Sequence, residues 1–138
     1  MPKELINIFK QSLVNIKNQK NIRIEKAFIH WYLDTRFGKR YNKCITDGPK
    51  DGGIDAIAVR DKTYYIVQAE FCNDIFDGKT KISPLSPKKY AQFDALPDIF
   101  RDDLKFEQYL QTLDTSLHSK YTEISEHQKA NPSCVIWE

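Results

Sequence analysis

The stretch Gly52-Gly53-Ile54-Asp55-Ala56-Ile57-Ala58-Val59-Arg60-Asp61-Lys62-Thr63-Tyr64-Tyr65-Ile66-Val67-Gln68-Ala69-Glu70-Phe71 decides the fold. Two runs, Ile54 to Val59 and Tyr64 to Phe71, are rich in β-branched and aromatic residues, and only the polar tetrad Arg60, Asp61, Lys62 and Thr63 separates them. That pattern predicts a β-hairpin. Side chains alternate between faces, so Asp55, Ile57 and Val59 share one side of the first run, and Ile66, Gln68 and Glu70 one side of the second. With the tight turn at Asp61 and Lys62, paired residues carry numbers that sum to 123. Asp55 then faces Gln68 at about 5 Å between Cβ atoms, with Glu70 diagonal at roughly 7 Å.

Three oxygen-bearing side chains on the inner face of an apolar hairpin are costly to bury, and neighbouring carboxylates repel. A cation resolves both problems. Oxygen donors alone, two of them anionic, suit Mg²⁺ or Mn²⁺ better than zinc. The competing reading has Asp55 bonding turn amides while Gln68 and Glu70 face water.

Upstream, Leu5, Ile8, Phe9, Leu13 and Ile16 recur at helical spacing and predict a helix over 3–18. A second helix starts near Ile24, carries Ala27, Phe28, Trp31 and Tyr32 on one face, and ends at Gly38. A short strand from Tyr41 to Thr46 precedes a loop in which Gly48, Gly52 and Gly53 fall within six residues. Downstream, Ser86-Pro87 opens a short helix expected to end before Pro97. Phe106, Leu110, Leu113, Leu117 and Ile124 form one long amphipathic stripe stopped by Asn131 and Pro132. Ser133 to Trp137 reads as a strand, parallel to an earlier one because a long helix delivers it.

Length and composition bound the rest. A chain of 138 residues, 41% hydrophobic and 29% charged, predicts one α/β domain with a packed core and excludes a disordered or low-complexity chain. The strand-like end implies the N-terminal part of a longer protein. A net charge of +2 decides nothing about partners. Cys44, Cys72 and Cys134 are odd in number and predict reduced thiols. With no continuous apolar stretch near the N-terminus, the expected location is cytoplasmic, without a membrane partner.

Gly52-Gly53-Ile54-Asp55-Ala56, followed after a hairpin by Ile66-Val67-Gln68-Ala69-Glu70-Phe71, resembles the active-site hairpin of the PD-(D/E)xK nuclease superfamily. The similarity is greatest to the restriction-endonuclease-like domains at the N-terminus of the abortive-infection phage-resistance (AIPR-type) proteins. The resemblance spans 22–138, and its specific part is the hairpin. It implies a restriction-endonuclease-like core of helix, three-stranded antiparallel meander, helix and parallel strand, with an extra N-terminal helix. It also implies Mg²⁺- or Mn²⁺-dependent hydrolysis of DNA in bacterial phage defence, DNA as partner, and room for a homodimer.

By that resemblance Asp55 is the metal-binding aspartate, Gln68 supplies a carbonyl oxygen to the metal, and Glu25 matches a supporting glutamate on the helix before the sheet. Read on its own, Glu25 is a first-turn carboxylate favoured at a helix N-terminus. Glu70 departs from the pattern, since most of the superfamily has lysine there; a carboxylate reverses the charge and binds metal or acts as base instead. Lys50 and Lys43 are the candidates for a lysine arriving from elsewhere.

Asp47 and Asp51 bracket Gly48, Pro49 and Lys50 without the ligand alternation of an EF-hand, and are expected to bond loop amides. The loop leads into a strand, not a helix, which excludes a nucleotide-binding glycine motif. His30, His118 and His127 lack ligand spacing and are expected at the surface or on helix edges. Lys39, Arg40, Lys43, Lys79, Lys81, Lys88 and Lys89 are candidate phosphate-backbone contacts. Two rivals stand beside the nuclease: a catalytically inactive domain of the same fold that binds nucleic acid or protein, and an interaction module docking through a helix from Leu104 to Ile124.

Overall fold

A computed structural model of the chain describes residues 2–38, 40–69 and 87–138. Glu70, Cys72, Lys39, Lys79, Lys81 and Ser86 lie outside the described residues, as does the expected strand beyond Ala69. The chain divides into two compact units, one built on the N-terminal helices and one on a sheet with the C-terminal helices.

In the first unit, α1 (Lys3–Lys20) and α2 (Ile24–Phe37) fall where apolar periodicity places them. Asn21, in the left-handed conformation that Asn tolerates, ends α1 by donating its N–H to the Lys17 carbonyl. Of the predicted α1 stripe only Leu13 is fully buried; Leu5 and Ile8 stand exposed. The buried face of α2 is Ala27, Ile29, Leu33 and Phe37, not the predicted Ala27, Phe28, Trp31 and Tyr32. Apolar residues extend beyond one stripe of this helix, and its aromatics Phe28, Trp31 and Tyr32 are only half-buried. Phe28 and Trp31 stack on each other, and each meets Phe9 of α1 in an edge-to-face contact, 6.4 Å and 4.9 Å away between ring centroids.

The second unit is a four-stranded mixed sheet, β1 (Asn42–Ile45), β2 (Ala56–Arg60), β3 (Thr63–Val67) and β4 (Val135–Trp137), ordered β1-β2-β3-β4. The first three strands form an antiparallel meander and β4 runs parallel to β3. The β2–β3 register is the predicted one: Ala56 pairs with Val67, Ile57 with Ile66 and Arg60 with Thr63, each sum being 123. Asp61 and Lys62 form the two-residue turn with φ of 52° and 64°, the left-handed pair whose twist matches a hairpin.

Helices α3 (Pro87–Arg101), α4 (Asp103–Gln111) and α5 (His118–Ala130) belong to this unit. Ile57 and Ile66 from the sheet, with Ile54 just before β2, pack with Phe93, Leu96 and Phe100 of α3 and with Tyr121 and Ile124 of α5. Phe100, fully buried, brings its ring within 4.9 Å of Phe106 and 5.1 Å of Trp137 between centroids.

Two helix predictions need correction. Helix α3 runs through Pro97 instead of ending before it. Proline forfeits one backbone hydrogen bond there, and the buried Leu96 and Phe100 on either side outweigh the loss. The single long helix over Leu104 to Ile124 is two helices and a 3₁₀ turn (Thr115–Leu117), with the break at Asp114. Asp114 takes an extended backbone (ψ 135°) and its carboxylate accepts the Ser116 N–H at 3.0 Å, starting a new helical segment. Because Phe106, Leu113 and Ile124 still point inward across the break, periodicity alone reads through it. The interaction-module rival thereby loses its continuous docking helix.

Candidate metal centre

The junction between β1 and β2 is a loop whose ends close on one residue. The Asp55 carbonyl accepts two backbone N–H groups, from Thr46 at 2.9 Å and Asp47 at 3.0 Å, while its own N–H donates to the Val67 carbonyl at 2.9 Å. Since Val67 is the ladder partner of Ala56, the strand steps irregularly at Asp55, the position where a bulge re-aims a side chain. Thr46, buried, adds a hydroxyl donation to the Ile54 carbonyl at 2.6 Å. Asp55 is therefore fixed from both neighbouring strands.

Between these ends the chain turns through Lys50, Gly52 and Gly53, with φ of 58°, 75° and 92°. Gly52 is required for a further reason: a Cβ there would collide with the Tyr109 hydroxyl and with Leu113. Gly53 lies against the Gln92 side chain of α3, whose Cδ would be 3.0 Å from an added Cβ. The Asp51 carboxylate accepts the Gly53 N–H at 2.8 Å and, more weakly, the Gly48 N–H at 3.4 Å. The expectation that Asp51 bonds loop amides is thus met.

The same turn gathers Asp47, Asp51 and Asp55, with one carboxylate oxygen of each within 4.8 Å of the others. All three are half-buried, and the group could hold a metal ion. Neighbouring oxygens of an octahedral Mg²⁺ shell stand about 3.0 Å apart, so side-chain rotations that draw the carboxylates together by an ångström or more would close the group on a small hard cation. Burial pushes the Asp51 carboxyl above its ordinary 3.8, with Asp47 adding repulsion; the Gly53 and Gly48 amides and Lys89 of α3 act in the opposite sense.

Asp55 is accordingly in the candidate site, joined by two residues whose clustering the sequence reading did not anticipate. The available signal was their spacing, three aspartates each four apart around three glycines. Gln68 directly follows β3 and donates its backbone N–H to the Glu138 carbonyl at 3.2 Å. Glu25 lies in the first turn of α2, in the other unit, with Arg23 at 4.0 Å. Lys43 stands over the Tyr41 ring at 5.9 Å, and Lys88 and Lys89 occupy the exposed first turn of α3. His118 and His127 are half-buried on α5, and Cys44 and Cys134 are free thiols. No helix among the described residues is long and apolar enough to cross a membrane.

Compared with protein-family models, curated proteins and solved structures, the chain matches none.

Proposed function

We propose that this chain is a metal-dependent nuclease domain, with a restriction-endonuclease-like core, that hydrolyses DNA phosphodiester bonds with Mg²⁺ or Mn²⁺. The observation that carries the reading is the convergence of Asp47, Asp51 and Asp55 at the mouth of the antiparallel hairpin. Three anionic oxygens, with no sulfur or imidazole among them, are the donor chemistry of a hard, octahedral cation. The element order agrees with the resemblance, since a meander is followed by helices and by a strand parallel to the third.

In this reading Asp55 is the central ligand, and Asp47 and Asp51 complete the carboxylate set. Gln68, Glu70 and Glu25 keep in this proposal the roles that the resemblance implies for them. A bound divalent cation would polarise a phosphate oxygen and acidify a water for in-line attack. The chain's own part is to hold three carboxylates against their mutual repulsion. Lys89, whose charge acts on Asp51, and Gln92, which lies against Gly53, would contact the anionic backbone in this reading. The biological setting that the resemblance suggests is defence against phage or foreign DNA.

The test is incubation of supercoiled plasmid with the purified chain and Mn²⁺, beside Asp55→Asn and an EDTA control. Nicking that requires both the metal and Asp55 supports the proposal. Mn²⁺ binding and salt-sensitive DNA binding without cleavage would assign the chain to the catalytically inactive, nucleic-acid-binding rival. Activity undiminished in Asp55→Asn would remove the carboxylate group from the chemistry.

A further inference from the structure

The three aspartates cannot hold their own arrangement, because like charges at this range push apart. What opposes them lies on the helices. Three consecutive carbonyls of the loop each receive a hydrogen bond from the helical layer: Lys50 from the Asp114 N–H at 3.2 Å, Asp51 from the Tyr121 hydroxyl at 2.7 Å, and Gly52 from the Tyr109 hydroxyl at 2.7 Å. The two phenol rings stack nearly parallel, 6.4 Å apart between centroids with an interplanar angle of 11°. Phe100 backs both of them, at 5.6 Å and 6.1 Å. Two rigid side chains from different helices, braced by a third ring, therefore grip adjacent peptide units of the segment that presents Asp51.

We infer that Tyr109 and Tyr121 are positioning residues of the carboxylate site, setting its cation affinity by pinning the Asp51 and Gly52 carbonyls so that Asp51 is held beside Asp47 and Asp55. The inference rests on the metal reading of that site and extends it to two residues that touch no ligand. Each phenol is a donor aimed at a carbonyl, so the hydroxyl is the part that carries the effect and the ring is the part that carries the packing. Burial holds both hydroxyls far above the ordinary tyrosine range, which keeps the donors protonated. Gly52 completes the arrangement, because only a residue without Cβ lets the Tyr109 hydroxyl reach the loop.

The experiment compares Mn²⁺ affinity by titration calorimetry, Tm without metal, and amide hydrogen exchange at Gly53 in wild type, Tyr109→Phe, Tyr121→Phe and Ile124→Val. The last variant lies in the same core and touches no loop carbonyl. Expected are about tenfold weaker Mn²⁺ binding and faster Gly53 exchange in each Phe variant, with Ile124→Val retaining wild-type affinity despite its lower Tm. Unchanged affinity in the Phe variants overturns the inference, and so does an equal loss in Ile124→Val, which would make the effect one of general stability. If wild type binds Mn²⁺ and the Phe variants bind it equally, only the positioning role fails; if wild type binds none, the metal site fails and the positioning role with it. Should a Phe variant not fold, Gly52→Ala displaces the Tyr109 hydroxyl from the loop side, and retained Mn²⁺ affinity there counts against the inference.

Discussion

The backbone carbonyl of Asp55 accepts the N–H of Asp47 at 3.0 Å, so two acidic residues eight apart in sequence are tied by one peptide hydrogen bond at the root of their side chains. Their proximity is set by the ladder between β1 and β2, not by side-chain rotation. Thr46 tightens the same junction through its own N–H to Asp55 and its hydroxyl to Ile54. Replacing that hydroxyl by a methyl group leaves the Ile54 carbonyl, in a residue with no exposed surface, one donor short. Thr46→Val is expected to lower unfolding free energy by about 1–2 kcal/mol, measured by urea denaturation. An unchanged midpoint would mean that the hydroxyl contributes nothing to this junction.

Asp51 gives the site a pH signature. Its folded pKa is raised above the unfolded value, mainly by burial, so the folded state favours the protonated form. The associated stability is present in full below the unfolded value and is lost as pH rises through the folded one. A divalent cation requires the carboxylate, so its stabilising effect grows across the same interval. Without metal, Tm should therefore carry a component that falls as pH climbs out of the ordinary carboxylate range, while the gain in Tm from added Mn²⁺ increases. In Asp51→Asn both dependences should flatten and the metal-free Tm near neutral pH should rise by roughly 2 °C. Scanning calorimetry across that range, with and without Mn²⁺, checks the sign.

The hairpin was legible in the sequence because its register depends on local chemistry: alternation on both strands and a two-residue turn leave one pairing that buries Ile57 and Ile66 together. The break at Asp114 was not, since the buried stripe continues through it and the deciding contact, the Asp114 N–H on the Lys50 carbonyl, joins residues far apart in the chain. The metal-site candidate divides along the same line. Asp55 is visible from its place at the strand's start, whereas Asp47 joins it through the β1–β2 junction and Asp51 through a turn whose carbonyls Tyr109 and Tyr121 hold from residues far along the chain.

The turn itself carries removable strain. Asp61 and Lys62 both occupy the left-handed region, where a Cβ crowds the carbonyl; aspartate tolerates it better than lysine. Lys62 is exposed and the turn lies at the end of the hairpin opposite Asp55, so glycine costs no packing. Lys62→Gly should stabilise the chain by about 1 kcal/mol, read as a higher denaturant midpoint with an unchanged slope. Mn²⁺ affinity should stay at the wild-type value. A lower midpoint would show that the entropy lost by glycine on folding exceeds the strain it relieves.

Phe100 is where the fold and the site share one support. Its ring is fully buried among Phe106, Tyr109, Tyr121 and Trp137, and its backbone carbonyl accepts the Ser125 hydroxyl at 2.6 Å. Removing the ring in Phe100→Ala leaves a cavity bordered by stiff aromatics that cannot collapse into it, so the cost should lie near the upper end for such changes, about 5 kcal/mol. Phe100→Leu refills most of that volume and should cost about half as much, yet it withdraws the flat surface behind the two tyrosines. Chemical denaturation separates the two variants by stability. Proton NMR of the Tyr109 and Tyr121 ring signals should then show shifts in both, because the ring current of Phe100 is lost in each. Equal stability for Ala and Leu would contradict the packing argument, since it would mean that the volume beside Tyr121 is not filled by this ring.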